Sequence, residues 1–78
     1  MIPDHMMGAI RRYVDDGLPP GSFLEAVITN NLRDAVAYAD ATNINLLPEY
    51  VRHFYNDEPS GCWGSEANMQ EWMAGVRA

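Results

Sequence analysis

Apolar residues recur along this chain at helical spacing almost from end to end. Met6, Met7, Ile10, Tyr13 and Val14 fall every three or four positions and predict a helix over residues 4–16. Pro3 suits its start, Asp4 its positive end, and Gly17 its C-terminal stop. A second stripe runs from Phe23 towards Ala41 through Leu24, Val27, Ile28, Leu32, Ala35, Val36 and Ala39. Thr29-Asn30-Asn31, three poor helix formers, interrupts it. It reads as one helix bent at that point, the alternative being a break at which Asn30 caps a second piece. Leu47, Tyr50, Val51, Phe54 and Tyr55 predict a third helix over residues 43–56, with Pro48 tolerated near its first turn. Turn residues fill 56–61, and Ser65 then reads as the N-cap of a last helix from Glu66 to about Ala74. Nothing alternates with the period of a strand. The expected fold is all-α, a compact bundle of about four helices in a single domain over residues 1–78.

The sharpest local signal is Pro19-Pro20-Gly21-Ser22-Phe23-Leu24-Glu25. Two prolines stop whatever precedes them, and Gly21 frees the backbone. Ser22 followed three residues later by Glu25 reads as a capping box, so Ser22→Ala should cost about 1 kcal/mol. Free amides at such a helix start also favour an anion. The corner is therefore either a capped start whose amides are already satisfied or a phosphate or carboxylate site with Arg11 or Arg12 supplying charge. It lacks the Gly-Lys-Ser/Thr ending of a nucleotide-triphosphate loop. In the site reading, Arg11→Ala and Arg12→Ala each abolish anion binding with little change in stability. Gly61-Cys62-Trp63-Gly64-Ser65 has the same style, and Trp63 either fills the core or stacks on a ligand. Candidate ligand-binding residues are thus Gly21, Ser22, Phe23, Arg11, Arg12, Trp63, Gly64 and Ser65.

Composition narrows the classes. A chain of 78 residues holds one small core, for which a homo-oligomer is a reasonable expectation. Eleven acids against five bases give a net charge of −6, which argues against direct nucleic-acid binding. All five bases are arginines, suited to bidentate contacts with carboxylate or phosphate. Cys62 is the single cysteine, so neither an intrachain disulfide nor a zinc cage is expected. His5 and His53 lack metal-ligand spacing, and Cys62 beside Trp63 reads as a packed small hydrophobe. No catalytic residue, metal or cofactor is expected. Without a long apolar run or a signal peptide, a soluble cytoplasmic protein away from the membrane is the default.

His5-Met6, Tyr13, the Pro-Pro-Gly-Ser-Phe-Leu corner, Ala26-Val27 with Asn31-Leu32, and Ala39-Asp40 with Thr42-Asn43 resemble an uncharacterised family of short phage- and prophage-encoded proteins. Phe54-Tyr55-Asn56, Pro59 and Gly61-Cys62-Trp63-Gly64-Ser65 fit the same pattern, so the resemblance spans nearly the whole chain. One departure is Asn31, where the pattern has an acid before the leucine. The resemblance implies a setting, the cytoplasm of an infected host cell, and carries over no reaction and no catalytic residue. Small acidic phage proteins of this kind often act by stoichiometric binding, some in counter-defence. The leading expectation is sequestration of an anionic, nucleotide-like signal at helix N-termini of an oligomer. The alternative is an acidic inhibitor that binds a host defence or nucleic-acid-handling protein.

Overall fold

In the computed structural model, which describes every residue from Met1 to Ala78, the chain forms only helices. They are α1 (Asp4–Asp16), α2 (Ser22–Ile28), α3 (Leu32–Tyr38), α4 (Ala41–Asp57), a 3₁₀ turn (Ser60–Cys62) and α5 (Glu66–Arg77). The all-α class expected from the apolar spacing is what forms.

The first helix begins and ends as its sequence predicts. The Pro3 carbonyl accepts from the amides of Met6 and Met7 at 3.0 and 2.9 Å. Gly17 ends the helix in the left-handed region, at φ 69°. Its amide donates to the Tyr13 carbonyl at 3.0 Å, and that of Leu18 to the Arg12 carbonyl at 3.3 Å, which satisfies two carbonyls of the last turns. A Cβ at this position would lie 3.0 Å from the Met73 carbonyl oxygen. Glycine here thus serves the turn and also lets α5 press against the end of α1.

The second stripe divides rather than bends. Thr29 Oγ1 turns back to the Glu25 carbonyl at 2.7 Å, and Asn30 takes the left-handed region at φ 61°. The Asn31 amide then closes onto the Ala26 carbonyl at 2.8 Å. Asn31 caps α3: its Oδ1 accepts from the Asp34 amide at 3.1 Å while its Nδ2 donates to the Asp34 carboxylate at 2.9 Å. The break is therefore the alternative that occurs, with the cap at Asn31 instead of Asn30.

The capping box expected between Ser22 and Glu25 does not form. Ser22 is the first residue of α2, behind an extended Gly21 at φ −68°, ψ 171°, and no side chain caps the start. Glycine after two prolines supplies the extended cap itself, so the helix begins one residue before the box requires. The third predicted helix starts earlier too, because Asp40 accepts from the Asn43 amide at 2.7 Å. Pro48 thereby falls in the interior of the 17-residue α4, well past its first turn. It lies on the exposed side, where water can serve the freed carbonyl of Ile44. Ser65 caps α5 as predicted, accepting from the Asn68 amide at 3.0 Å, and that helix continues past Ala74 to Arg77.

Packing follows from these ends. Ile10, Tyr13, Leu24, Ile28, Tyr50, Phe54, Cys62 and Met69 are almost wholly buried in one shared core. Phe23 meets Tyr50 edge-on, with centroids 5.1 Å apart. Three hydrogen bonds close helix and turn ends onto it: Tyr13 Oη to the Cys62 carbonyl at 2.7 Å, the Gly64 amide to the Ile28 carbonyl at 2.7 Å, and Trp72 Nε1 to the Val14 carbonyl at 3.1 Å.

The caps generate a direct test. Asn31→Ala and Asp40→Ala should each lower unfolding free energy by about 1 kcal/mol in urea titrations, while Ser22→Ala should stay within about 0.5 kcal/mol of the parent. A Ser22→Ala loss matching the other two would restore the capping role that the geometry denies it.

Candidate functional site

Between α1, the start of α2, the end of α3 and the first turn of α4 lies a cleft of ≈ 540 Å³. Its size falls within the range of small-molecule sites. His5, Ala9 and Arg12 come from one face of α1, at intervals of four and three residues. Gly21, Ser22 and Phe23 come from the corner, Tyr38 from the last turn of α3, and Asn43 from α4. Phe23, almost wholly buried, forms floor, whereas Tyr38 stands at the rim, 60 % exposed. No carboxylate lines the cleft.

Two polar groups give it chemical direction. Arg12 takes part in none of the chain's ion pairs. Its guanidinium lies back over Gly8, where a Cβ would come within 3.3 Å of Nη1. Asn43 is only 6 % exposed, yet it borders the cleft. Its Oδ1 accepts from the Tyr50 hydroxyl at 2.7 Å, which leaves Nδ2 as the amide's free donor. Burial first, and then the nearby Asp40 and Glu49 carboxylates, push the Tyr50 hydroxyl up to about 12. Tyr50 therefore keeps its proton at neutral pH and holds the Asn43 amide in one orientation.

Of the residues picked out in the sequence, Gly21, Ser22, Phe23 and Arg12 meet at this cleft. Arg11 does not. Its guanidinium is paired with Glu58, whose side chain is only 3 % exposed, and reaches Asp15 at 3.9 Å. Glu58 also holds His53 Nε2 at 2.5 Å, while His53 Nδ1 faces Asp57 at 3.4 Å. Arg11 thus fastens α1 to the end of α4. Adjacent residues on a helix point about 100° apart, so only one of the Arg11–Arg12 pair can reach the cleft.

Trp63, Gly64 and Ser65 lie outside it as well. Trp63 stacks on Phe54 with centroids 5.9 Å apart and an interplanar angle of 26°. The Gly64 amide is spent on Ile28, and Ser65 Oγ on the Asn68 amide. The second glycine loop therefore spends the Gly64 amide and the Ser65 hydroxyl on the fold and has no share in the first site. Cys62 is fully buried, and burial together with the Glu58 charge raises its thiol to about 11. It is protonated at neutral pH and shielded from reagents.

Sequence reasoning missed His5, Tyr38 and Asn43. The spacing of His5, Ala9 and Arg12 along one helical face was available as a signal. Asn43 and Tyr50, seven residues apart on one face of α4, also formed a legible pair, but nothing in the chain showed that a cleft opened in front of them. Comparison with protein-family models, curated proteins and solved structures returns no match for this chain, so the cleft's role rests on its own chemistry.

The two arginines should separate cleanly. Arg11→Ala should cost about 1–2 kcal/mol of stability, because it strips a cation from a buried carboxylate that keeps only His53. Arg12→Ala should leave the denaturation midpoint unchanged. Equal midpoints for both variants would contradict the assignment of Arg11 to the fold.

The buried acids of weak strength set an alkaline limit. Cys62 and Tyr50 ionise in the unfolded chain from their ordinary values of 9.0 and 10.0, but in the fold only near 11 and 12. The folded state then binds more protons than the unfolded one, so stability falls as pH rises through that window, by up to about 1.4 kcal/mol per pH unit for each group. A denaturant midpoint that held level from pH 9 to 11 would contradict this.

Proposed function

We propose that this chain is a phage-encoded binding protein that acts stoichiometrically in the cytoplasm of the infected cell. Its cleft sequesters an anionic, nucleotide-like small molecule and so blunts a host defence signal. The phage setting rests on the sequence resemblance, and the ligand class rests on the cleft. The observation that carries the reading is the pairing of Arg12, an arginine without an ion-pair partner, with the Asn43 amide donor in a cleft free of carboxylates. A guanidinium binds phosphate or carboxylate in a fork, and a fixed amide donor selects an acceptor on a base or sugar. Phe23 and Tyr38 provide apolar and aromatic surface for a planar group. The helix start itself contributes little, since α2 has only seven residues. The net charge of −6 opposes an anion at long range, but the residues that line the cleft include Arg12 and no carboxylate.

A second reading, an acidic inhibitor of a host protein, draws on Asp4, Asp16, Glu25, Glu66 and Glu71, none of which takes part in an ion pair. Such a surface steers towards a basic partner and loses its hold as salt rises.

A thermal-shift panel of cyclic and linear nucleotides separates the two. A nucleotide at a hundred times its dissociation constant should add about 2.7 kcal/mol of stability, and Arg12→Ala should erase the gain. No shift across the panel would count against sequestration of those ligands. A shift retained in Arg12→Ala would remove the arginine from the site.

A further inference from the structure

Asn43 stands where the cleft meets the core. It is only 6 % exposed, and its Oδ1 accepts from the Tyr50 hydroxyl at 2.7 Å. That hydroxyl belongs to a fully buried side chain and has no other acceptor. With the amide turned over, the phenol proton would face an NH₂ group and be left without a partner, the costly state for a buried donor. The carbonyl end of Asn43 therefore stays towards the core and the NH₂ end away from it.

The NH₂ end is unspent. No hydrogen bond in the chain uses Nδ2, yet no buried side-chain nitrogen or oxygen lacks a partner. Nδ2 therefore touches accessible space, and of the molecule's cavities Asn43 lines only this cleft. Asp40 is not among the lining residues, and its Oδ1 accepts from the main-chain amide of Asn43 at 2.7 Å. The same Tyr50 ring meets Phe23 edge-on, with centroids 5.1 Å apart. Tyr50 thus steadies both the floor against which a flat group would lie and the donor at that group's edge.

A nucleobase edge answers a donor in one of two ways. Guanine and thymine or uracil present a carbonyl oxygen, an acceptor, where adenine and cytosine present an amino group, a second donor. We infer that the cleft selects keto bases: Asn43 Nδ2 donates to the carbonyl oxygen of a guanine-, hypoxanthine- or uracil-type ring lying on Phe23, and turns away adenine and cytosine. This rests on the reading of the cleft as a nucleotide site and adds which nucleotides enter it. A phosphate held by Arg12 is common to all of them and positions the ligand without choosing its base. Tyr50 acts through Asn43 and is a positioning residue.

Isothermal titration calorimetry near neutral pH compares inosine with adenosine 5′-monophosphate and uridine with cytidine 5′-monophosphate. Ribose 5-phosphate, which has no base, reports the anion contact alone. The keto member of at least one pair should bind the parent chain at least about tenfold more tightly, since donor against donor leaves both unpaired. Asn43→Asp keeps an oxygen for Tyr50 and turns an acceptor towards the cleft. The preference within that pair should reverse, because the added charge weakens both members alike. Tyr50→Phe releases the amide and should bring the ratio towards one, with ribose 5-phosphate bound as before. Helical circular dichroism checks that both variants fold, and the parent ratio needs neither. Equal affinities within both pairs, or a preference for the amino bases, overturn the inference and leave the nucleotide reading standing. No binding of any of these compounds overturns both. A preference unchanged in Asn43→Asp overturns the assignment to Asn43, and one unchanged in Tyr50→Phe overturns the positioning role.

Discussion

Everything in this fold depends on finding partners for the backbone groups at the ends of short helices. Two of the five helices have only seven residues, so orphan amides and carbonyls are unusually dense for the size of the core. The solution is three hydrogen bonds that reach across the molecule. Tyr13 holds the Cys62 carbonyl, Gly64 the Ile28 carbonyl, and Trp72 the Val14 carbonyl. Each also carries its neighbours into contact: the Tyr13 bond seats the 3₁₀ turn on α1, and the Trp72 bond locks α5 along it. A buried carbonyl left without a donor costs about 1–3 kcal/mol, a large share of what a chain this short has in hand.

The same economy shapes the cleft. Breaking the second apolar stripe at Asn30 lets α3 swing away from the line of α2, and Tyr38 at its far end becomes a rim. Asp40 then starts α4 at once, which brings Asn43 under that rim. A continuous helix from Phe23 to Ala41 would have kept these residues far apart. The cleft is a product of the break, and its polar groups are fixed by structural bonds already present. Arg12 is left without an ion pair, while its neighbour Arg11 takes the structural one with Glu58.

Much of the fold was legible in the residue pattern. The all-α class, the limits of α1, the Gly17 stop and the Ser65 cap all follow from spacing and local chemistry. The corner misled on one point. Ser22 and Glu25 have the spacing of a capping box, but Gly21 after two prolines supplied an extended cap one residue earlier. The break at residues 29–31 was visible as weak propensity and undecidable by it, since the outcome turned on a threonine back-bond and a left-handed asparagine. Of the candidate site residues, the structure brings the corner and Arg12 to one cleft and sets Arg11 and the Trp63 loop elsewhere. Both carry plausible chemistry, and both are consumed by contacts with residues distant in sequence.

What the sequence by itself determined is local: which stretches coil, where glycine or a short polar side chain ends or begins them, and the acidic, all-arginine character of the surface. Such features depend on torsions and on neighbours within about four residues. Only the tertiary structure decided which of two adjacent arginines borders the cleft, that Asn43 is buried with its Oδ1 held by Tyr50, and that Ile44, Val51 and Tyr55 of α4 face outward. Those outcomes depend on which side of each helix the core claims. Residues far apart in the chain settle that together, through volume and hydrogen bonding.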